Sequence, residues 1–499
     1  MGAVLSYVII IVNTLIQLLY TPLLIRMLGQ SEYGLYSLVS SVIGYLAVLD
    51  LGFGNAIIVY TSKYKAEGKI EEEKKMHGMF KIIFVIIGVI AGLLGLLLFF
   101  NVDNMFGKTM TSIELEKTKI MMLILSINLI LTFSFSIYSS IISAYEKFVF
   151  QKIIALLNSL LKPVIMIPLL FIGFKSIALC VVITIVNIFV LISNYLYCKK
   201  RLKISTKFLG FDKAIFKVIF GYSIWIFLGV VVDKVNWSVD NFILGAVSGT
   251  IAVSIYSIAA TINNLFINLS TAVSSVLLPK MSKLVAQNAS SEKLTNEMIK
   301  VGRIQYYIIF LMCSGLILFG KEFVKLWAGP GFEESYYVAL LLIIPVCVPL
   351  IQNLGLSIMQ AMNKFKFKSI STFIMAIINV IISYFFAKKW GATGAALGTC
   401  ISLIICNIIL INIYYYKEIH LDIIKFWKNI IKQTIPFTIP IAIIIIIMAL
   451  TSFNGLIGFI IYGSLYTIMY CLVSYFISMN DYEKGIINKI LEKLRLKKV

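Results

Sequence analysis

The stretch that decides the fold is residues 22–63, PLLIRMLGQSEYGLYSLVSSVIGYLAVLDLGFGNAIIVYTSK. Apolar segments flank a turn at Gly29–Gly34, which predicts the end of one membrane helix and a second helix that carries Asp50 into the bilayer. A related stretch recurs 220 residues later, at 242–283, without gaps. The identities are Gly29/Gly249, Tyr36/Tyr256, Ser37/Ser257, Ser62/Ser282 and Lys63/Lys283. We therefore expect two equivalent halves of one membrane protein.

The composition is that of a chain that spans a membrane many times. Of its 499 residues, 60% are hydrophobic and 13% are charged, whereas a soluble domain carries about 25% charged residues. Apolar runs of about 20 residues, the length that crosses a bilayer, recur throughout. We predict an all-α polytopic membrane protein with about 14 transmembrane helices. The expected spans are 3–28, 34–61, 79–101, 118–144, 152–173, 177–198, 214–246, 251–279, 303–327, 336–361, 369–388, 392–416, 430–451 and 455–478.

The basic residues give the expected orientation. With the N-terminus inside, 33 of the 44 lysines and arginines fall on the inner side. Cytoplasmic loops carry such an excess, so we expect both termini in the cytoplasm and a multi-pass protein of a bacterial plasma membrane. The same rule explains the net charge of +21 without nucleic-acid binding, for which no basic cluster interleaved with aromatic residues is found.

The repeat extends through twelve spans and sets the expected domains. Lys147 matches Lys364 at an offset of 217, and Asn194 matches Asn412 at 218. Spans 1–6 and 7–12 are therefore predicted to form two pseudo-symmetric six-helix lobes, with a site between them at the midplane. The predicted domains are an N-terminal lobe at 1–200, a C-terminal lobe at 201–417, two appended helices at 418–479 and a basic cytoplasmic tail at 480–499.

Ionisable residues inside predicted spans are the main functional candidates, since each costs at least ~2.5 kcal/mol to insert and normally faces a cavity or a partner. They are Asp50, Lys162, Asp233, Lys234 and Asp240, with Arg26 near the outer end of span 1. Lys162 has no acidic residue on its own helix, which favours a cavity-facing role. Asp50 has the alternative of a cap or pair within the first half, and Arg26 that of snorkelling to the interface.

Polar amides in the same spans are candidate cavity lining. They are Asn13, Asn158, Asn236, Asn264, Asn268 and Gln352. The alternative is that each is a hydrogen-bonding contact between helices, the commoner role of a single membrane Asn.

No motif of an enzyme is present. The chain has no phosphate-binding GxxxxGK[ST], no HExxH and no GxSxG. Its seven cysteines form no CxxC pair, and His77 and His420 are expected in polar loops. We therefore expect a protein that is not an enzyme, with no catalytic residues, no cofactor and no metal.

The opening stretch also resembles a known family. Pro22-Leu-Leu-x-Arg26-x-x-Gly29-x-x-x-Tyr33-Gly34-x-Tyr36 and Leu49-Asp50-x-Gly52 are similar to the start of the polysaccharide-transport (Wzx-type) flippases of the multidrug/oligosaccharidyl-lipid/polysaccharide exporter superfamily. Asp240-Asn-Phe-Ile-Leu-Gly245 resembles that family's seventh helix. The resemblance implies a V-shaped, MATE-like transporter with a cationic central cavity. It further implies that Arg26, Lys162 and Lys234 meet a diphosphate, and that Asp50, Asp233 and Asp240 bind coupling ions.

The function that follows is a flippase for polyprenyl-diphosphate-linked oligosaccharide of the undecaprenyl type. It would move its cargo from the inner to the outer leaflet by alternating access, coupled to H⁺ or Na⁺, for surface polysaccharide biosynthesis. We expect a monomer, with a glycan polymerase as a candidate partner. Two alternatives stay open: a cation-coupled multidrug exporter of the same fold, and a non-transporting membrane partner of a cell-wall synthase.

Overall fold

The computed structural model describes residues 2–274, 278–287, 289–362, 364–451 and 455–495, and these are almost entirely helical. The helices are α1 Gly2–Leu28, α2 Gln30–Leu46, α3 Phe53–Ala66, α4 Ile70–Phe106, α5 Ser112–Ala144, α6 Phe148–Phe171, α7 Ser176–Tyr197, α8 Lys213–Val247, α9 Thr250–Ser274, α10 Leu278–Ala286, α11 Ser291–Trp327, α12 Glu334–Ile351, α13 Asn353–Ala361, α14 Lys366–Leu403, α15 Ile411–Lys417, α16 Ile423–Thr434, α17 Thr438–Leu450, α18 Gly455–Val473 and α19 Asp481–Arg495. The predicted all-α class is confirmed.

Eleven helical segments within the described residues are long and apolar enough to cross a membrane. The longest, Lys366–Lys417, bends at Trp390 and Gly391, where the backbone leaves the helical region. This bend falls between the predicted spans 369–388 and 392–416. Two shorter apolar stretches, Val12–Leu28 and Ser238–Val247, lie within predicted spans 1 and 7. The chain is a multi-pass membrane protein, while the count of 14 spans stays a prediction.

The sequence repeat has a counterpart in backbone geometry. Gly29 and Gly249 both have a positive φ, of 81° and 84°, which L-residues other than glycine rarely adopt. The amide of Tyr33 donates to the carbonyl of Gly29, and the amide of Val253 donates to that of Gly249. Each glycine thus forms the same corner before a new helix, which supports the alignment of the two stretches.

A second pair of corners matches at an offset of 217. The amide of Lys147 donates to the Ile142 carbonyl, and that of Lys364 donates to the Met359 carbonyl. Stacked aromatic pairs follow at matching positions. Phe150 stacks on Tyr197 with centroids 3.9 Å apart, and Phe367 stacks on Tyr414 at 4.2 Å. The predicted repeat therefore reaches the sixth and twelfth spans.

The chain divides into two compact units. Unit 1 contains Met1–Ser257 and Asn379–Ala395, and unit 2 contains Ile258–Ile378 and Ala396–Val499. Within unit 1, α8 packs against α2, α3 and α4, so the helix that opens the second repeat lies on the helices of the first. The domain boundaries expected at 200, 417 and 479 remain a prediction, as does the layout of two lobes.

Unit 1 contains a break in the second predicted span. A single turn of 3₁₀ helix, Ala47–Asp50, follows α2. Leu51 and Gly52 then adopt positive φ values of 51° and 73° before α3 begins. Glycine accepts this conformation readily, whereas a branched apolar residue such as leucine is strained there. The predicted continuous helix at 34–61 is therefore wrong at Ala47–Gly52, and the break contains the carboxylate of Asp50.

Candidate functional site

Asp50 lies at this break, next to the start of the helix that follows it. Its two carboxylate oxygens face Gly54 in the first turn of α3, 3.7 and 3.9 Å from where a Cβ on that glycine would stand. Gly54 also brings α3 close to Ser140 of α5. Free amides at a helix N-terminus favour a negative charge. Its place beside the helix start agrees with the capping alternative for Asp50, and its role with a coupling ion stays a prediction.

Two of the predicted cations lie on helices of unit 1. The Nζ of Lys234, on α8, lies against α2 at Gly44, 3.6 Å from where a Cβ on that glycine would stand. Gly44 is six positions before Asp50, so the structure brings Lys234 to the same broken span. Lys162 lies mid-way along α6, half-buried, and makes no hydrogen bond or ion pair with any residue whose side chain is described.

Asp240 is fully buried in α8 and hydrogen-bonded to the next helix. Its Oδ2 accepts from the hydroxyl of Tyr256 at 2.5 Å. The neighbouring Asn241 donates to Ser41 of α2 at 2.8 Å and accepts from Ser257. These contacts join α8 to α9 and to α2. The expectation that Asp240 binds a coupling ion stays a prediction, and its observed contact is with a tyrosine.

The other predicted residues are spread over both units. Arg26 is exposed in the last turn of α1, and Asn13 is exposed on the same helix. The Oδ1 of Asn158, on α6, is buried and accepts no hydrogen bond from the described residues. Asn264 and Asn268 are exposed on the part of α9 that belongs to unit 2. The side chains of Asp233 and Asn236 lie outside those that the structure describes.

Gln352 occupies a packed position. It is 2% exposed, and its Nε2 donates to Oδ1 of Asn412 at 2.7 Å. The indole of Trp427 donates to the same oxygen at 3.2 Å. This is the interhelical contact that was the alternative for the polar amides, and the predicted lining role of Gln352 has no support from this geometry.

Sequence reasoning missed a cluster of carboxylates where the helices of unit 1 turn on the predicted outer side. Oε1 of Glu114 accepts from the Ser31 hydroxyl at 2.6 Å and from the Thr250 hydroxyl at 2.8 Å. Its Oε2 accepts from the backbone amide and hydroxyl of Thr111. One carboxylate thereby ties the first-repeat corner at Ser31 to the second-repeat corner at Thr250.

Glu32, the residue after Ser31, is buried beside this carboxylate. It accepts from Nζ of Lys117 on α5 and from the hydroxyl of Ser176 at the start of α7. Only 7% of Glu32 is exposed, so these donors offset the cost of burying its charge. A signal was available in the sequence, because Thr111-x-x-Glu114 has the spacing of a capping box, and the structure confirms one there.

His77 corrects a further expectation. It does not lie in a polar loop but in the second turn of α4, where none of its surface is exposed. Its Nε2 is 2.9 Å from the hydroxyl of Thr61 on α3. Glu73, one turn earlier, accepts from the hydroxyl of Tyr145 at 2.8 Å. These contacts join the ends of α3, α4 and α5 that are predicted to lie on the cytoplasmic side. Residues predicted to lie on one side of the membrane therefore contact each other.

Comparison with known proteins identifies the family to which the chain belongs. Residues 23–336 match a family model described as "Polysaccharide biosynthesis protein". The chain belongs to this polysaccharide biosynthesis protein family. A putative O-antigen transporter of Shigella flexneri is 22% identical over 415 residues, covering 81% of this chain and 94% of that protein. The capsular polysaccharide biosynthesis protein CapF of Staphylococcus aureus is 28% identical over 213 residues, which is 41% of this chain and 51% of CapF.

Solved structures show the fold of this family member. The lipid II flippase MurJ, in an inward closed conformation, aligns with a TM-score of 0.74 at 18% identity over 95% of this chain and 97% of MurJ. An inward-facing multidrug resistance MATE transporter of the MOP superfamily aligns with a TM-score of 0.63 at 15% identity, covering 80% and 96%. The predicted resemblance and the MATE-like fold are confirmed. The O-antigen transporter, MurJ and the MATE protein are by name transporters or flippases, not enzymes.

Proposed function

We propose that the protein is a flippase that moves a polyprenyl-diphosphate-linked oligosaccharide from the inner to the outer leaflet of a bacterial plasma membrane. The relatives of matching length are O-antigen transporters by name, and an O-antigen is a surface polysaccharide. The proposal adds the lipid-linked form of the cargo, its direction and the residues that meet it.

The observation that carries this proposal is the contrast between Lys162 and the buried carboxylates. Asp50 faces the first turn of α3, Asp240 accepts a hydrogen bond from Tyr256, and Glu32 accepts one from Lys117. Lys162 has no hydrogen-bonding or ionic partner among the described side chains. An ammonium at this depth is costly unless something anionic reaches it, and a diphosphate provides strong charge-assisted hydrogen bonds.

The same contrast separates this proposal from a multidrug exporter. A site for cationic drugs needs a carboxylate that is available to the drug. Asp240 already accepts a hydrogen bond from Tyr256, and Glu32 accepts from Lys117 and Ser176, whereas the ammonium of Lys162 donates to none of the described residues. An anionic cargo therefore fits the described part of unit 1 better than a cationic one.

The transport cycle is proposed to be alternating access. Two repeats of six helices, related by an axis along the membrane normal, can expose a site to each side in turn. We further propose that an ion gradient, of H⁺ or Na⁺, drives the change through Asp50, Asp233 or Asp240. The protein would act as a monomer with both termini in the cytoplasm, next to a glycan polymerase.

The test is complementation of a strain that lacks the gene. Wild-type protein should restore surface glycan, while Lys162→Ala should restore none and should leave lipid-linked oligosaccharide in the plasma membrane. Lys162→Arg keeps the charge and should recover part of the export. Lys152→Ala, ten residues earlier on α6, is the matched control and should export normally.

Two results would count against the proposal. Normal export by Lys162→Ala, at equal protein in the membrane, would remove Lys162 from the mechanism. Unchanged surface glycan in the deletion strain, together with increased drug susceptibility, would favour the multidrug exporter instead.

A further inference from the structure

The connection between α7 and α8 is the most basic surface segment that the structure describes. We call residues 199–217 the basic ribbon. Its cations are Lys199, Lys200, Arg201, Lys203, Lys207, Lys213 and Lys217, and all seven are exposed. The chain leaves α7 through a turn of π helix at Cys198–Leu202, runs without helix to Asp212 and then enters α8.

The middle of the basic ribbon is not helical, and the exposure of its side chains alternates along the chain. Lys203, Ser205 and Lys207 are exposed, whereas Ile204 and Thr206 between them are partly buried. The Thr206 hydroxyl lies 3.3 Å from the Tyr138 hydroxyl of α5, so the face with Ile204 and Thr206 packs against the protein. The lysines consequently share the opposite, exposed face.

The basic ribbon is held against the helices of unit 1 at two points. The carbonyl of Lys207 lies so close to Gly78 of α4 that a Cβ on that glycine would collide with it. Further along, Asp212 accepts from the amides of Ala214 and Ile215 and pairs with Lys75 at 3.1 Å. The amides of α8 and the Lys75 ammonium hold the pKa of Asp212 below its usual value. The backbone of the ribbon is therefore fixed while its lysines are exposed.

The exposed cations of the basic ribbon lack carboxylate partners among the described side chains. The neighbouring hairpin between α3 and α4 differs, because its Lys63 and Lys69 pair with Glu67 and its Lys74 pairs with Glu71. The only acidic residue of the ribbon, Asp212, already forms an ion pair with Lys75. The ribbon thus keeps an uncompensated positive charge, and the hairpin does not.

Large apolar side chains accompany these cations. Phe208, Leu209 and Phe211 are 51%, 54% and 52% exposed. Both ends of the ribbon join predicted membrane spans, so it lies at the level where headgroups meet acyl chains. Aromatic and aliphatic residues bury favourably at that level, while lysines reach the headgroups.

We propose that the basic ribbon is a binding surface for the anionic phospholipid headgroups of the leaflet on its side of the membrane. A general excess of basic residues inside would place cations here, but it would not require a backbone held against Gly78 and through Asp212 with its lysines exposed. Phosphate groups of an anionic leaflet complement the uncompensated charge, and the exposed phenylalanines enter the acyl region beside them. The ribbon connects the two repeats, so bound lipid would fix that connection.

The experiment measures thermal unfolding of the purified full-length protein in an uncharged detergent. Phosphatidylglycerol or phosphatidylcholine is added at equal mole fraction, and the midpoint is read from intrinsic fluorescence. A ligand that binds only the folded state raises the midpoint. We expect phosphatidylglycerol to raise it by several degrees more than phosphatidylcholine, and we expect high salt to remove the difference.

Two double variants with equal charge loss locate the effect. Lys203→Gln with Lys207→Gln should lose at least half of the phosphatidylglycerol shift, and both side chains are exposed, so folding should be kept. Lys63→Gln with Lys74→Gln, in the neutralised hairpin, should keep the shift. Equal shifts for both lipids, or equal losses in both variants, would overturn the proposal. Neither result depends on transport, so this test and the export test fail independently.

Discussion

Gly34 of α2 lies directly against the backbone of Thr250, the first residue of α9. A Cβ on Gly34 would overlap the carbonyl group of Thr250. The first residue belongs to the corner of the first repeat and the second to the equivalent corner of the second repeat. The absence of a side chain at position 34 is therefore what allows the two corners to touch within unit 1.

Gly34→Ala tests this contact. In an ordinary helix the change favours folding by ~1 kcal/mol, but here the new methyl meets backbone that cannot rotate away. We expect a loss of ~1–3 kcal/mol, as for other overpacked sites, seen as a lower thermal midpoint of the purified protein. Gly315→Ala, on α11, is the control, because nothing lies within 4 Å of its Cβ position. Equal effects of the two changes would refute the close approach.

Glu114→Gln tests the carboxylate that joins the same corners. All four of its described contacts are donors: Ser31, Thr250, and the amide and hydroxyl of Thr111. An amide in its place would direct an NH₂ group at one set of donors and leave them unpaired. We expect a loss of ~1–3 kcal/mol, measured by thermal unfolding. Ser31→Ala and Thr250→Ala should each cost less.

Glu116→Gln is the matched control for that change. Glu116 is exposed on the same helix, two positions later, and its neutralisation should change stability by less than ~0.5 kcal/mol. A stable Glu114→Gln protein would show that the four hydrogen bonds contribute nothing to the joint between the corners.

The sequence predicted local and periodic features better than contacts between distant segments. The offset of 220 identified Gly29 and Gly249, whose φ angles agree. The break after Asp50 was hidden by continuous hydropathy, although the glycines of Leu51-Gly-Phe-Gly54 are a known sign of interruption. Glu32 was missed because its partners lie 85 and 144 positions away, and no short-range pattern records such pairs.

The substitution Asp50→Asn distinguishes a capping role of Asp50 from a role in binding the coupling ion. Asn keeps the size of Asp and an oxygen that can accept hydrogen bonds at the helix start, so we expect folding to be kept within ~1 kcal/mol. If the carboxylate also binds the coupling ion, surface glycan export should fall to the level of the deletion strain, because Asn has no negative charge. Stability and export are measured on the same variant.

A variant that folds and exports normally would leave capping as the whole role of Asp50. Asp103→Asn is the matched control, since Asp103 forms an exposed pair with Lys119 at 2.5 Å and its loss should cost at most ~1 kcal/mol with export unchanged.

Arg303 and Glu483 form the most buried ion pair described in unit 2, and their substitution should show how firmly α19 is attached. Nε and Nη2 of Arg303, on α11, donate to the two carboxylate oxygens at 2.5 and 2.9 Å, and their side chains are 14% and 3% exposed. Removing one partner leaves a buried charge, so Arg303→Met or Glu483→Met alone should cost ~3–5 kcal/mol, whereas the double Met variant should recover most of that loss.

The measurements are the thermal midpoint and the rate of tryptic cleavage within 484–495. The cleavage rate should rise in the single variants because α19 detaches. The exposed Lys300–Glu297 pair is the control, and Lys300→Gln should cost at most ~1 kcal/mol. Single variants as stable as this control, with unchanged cleavage, would mean that α19 is held by its apolar face and not by the ion pair.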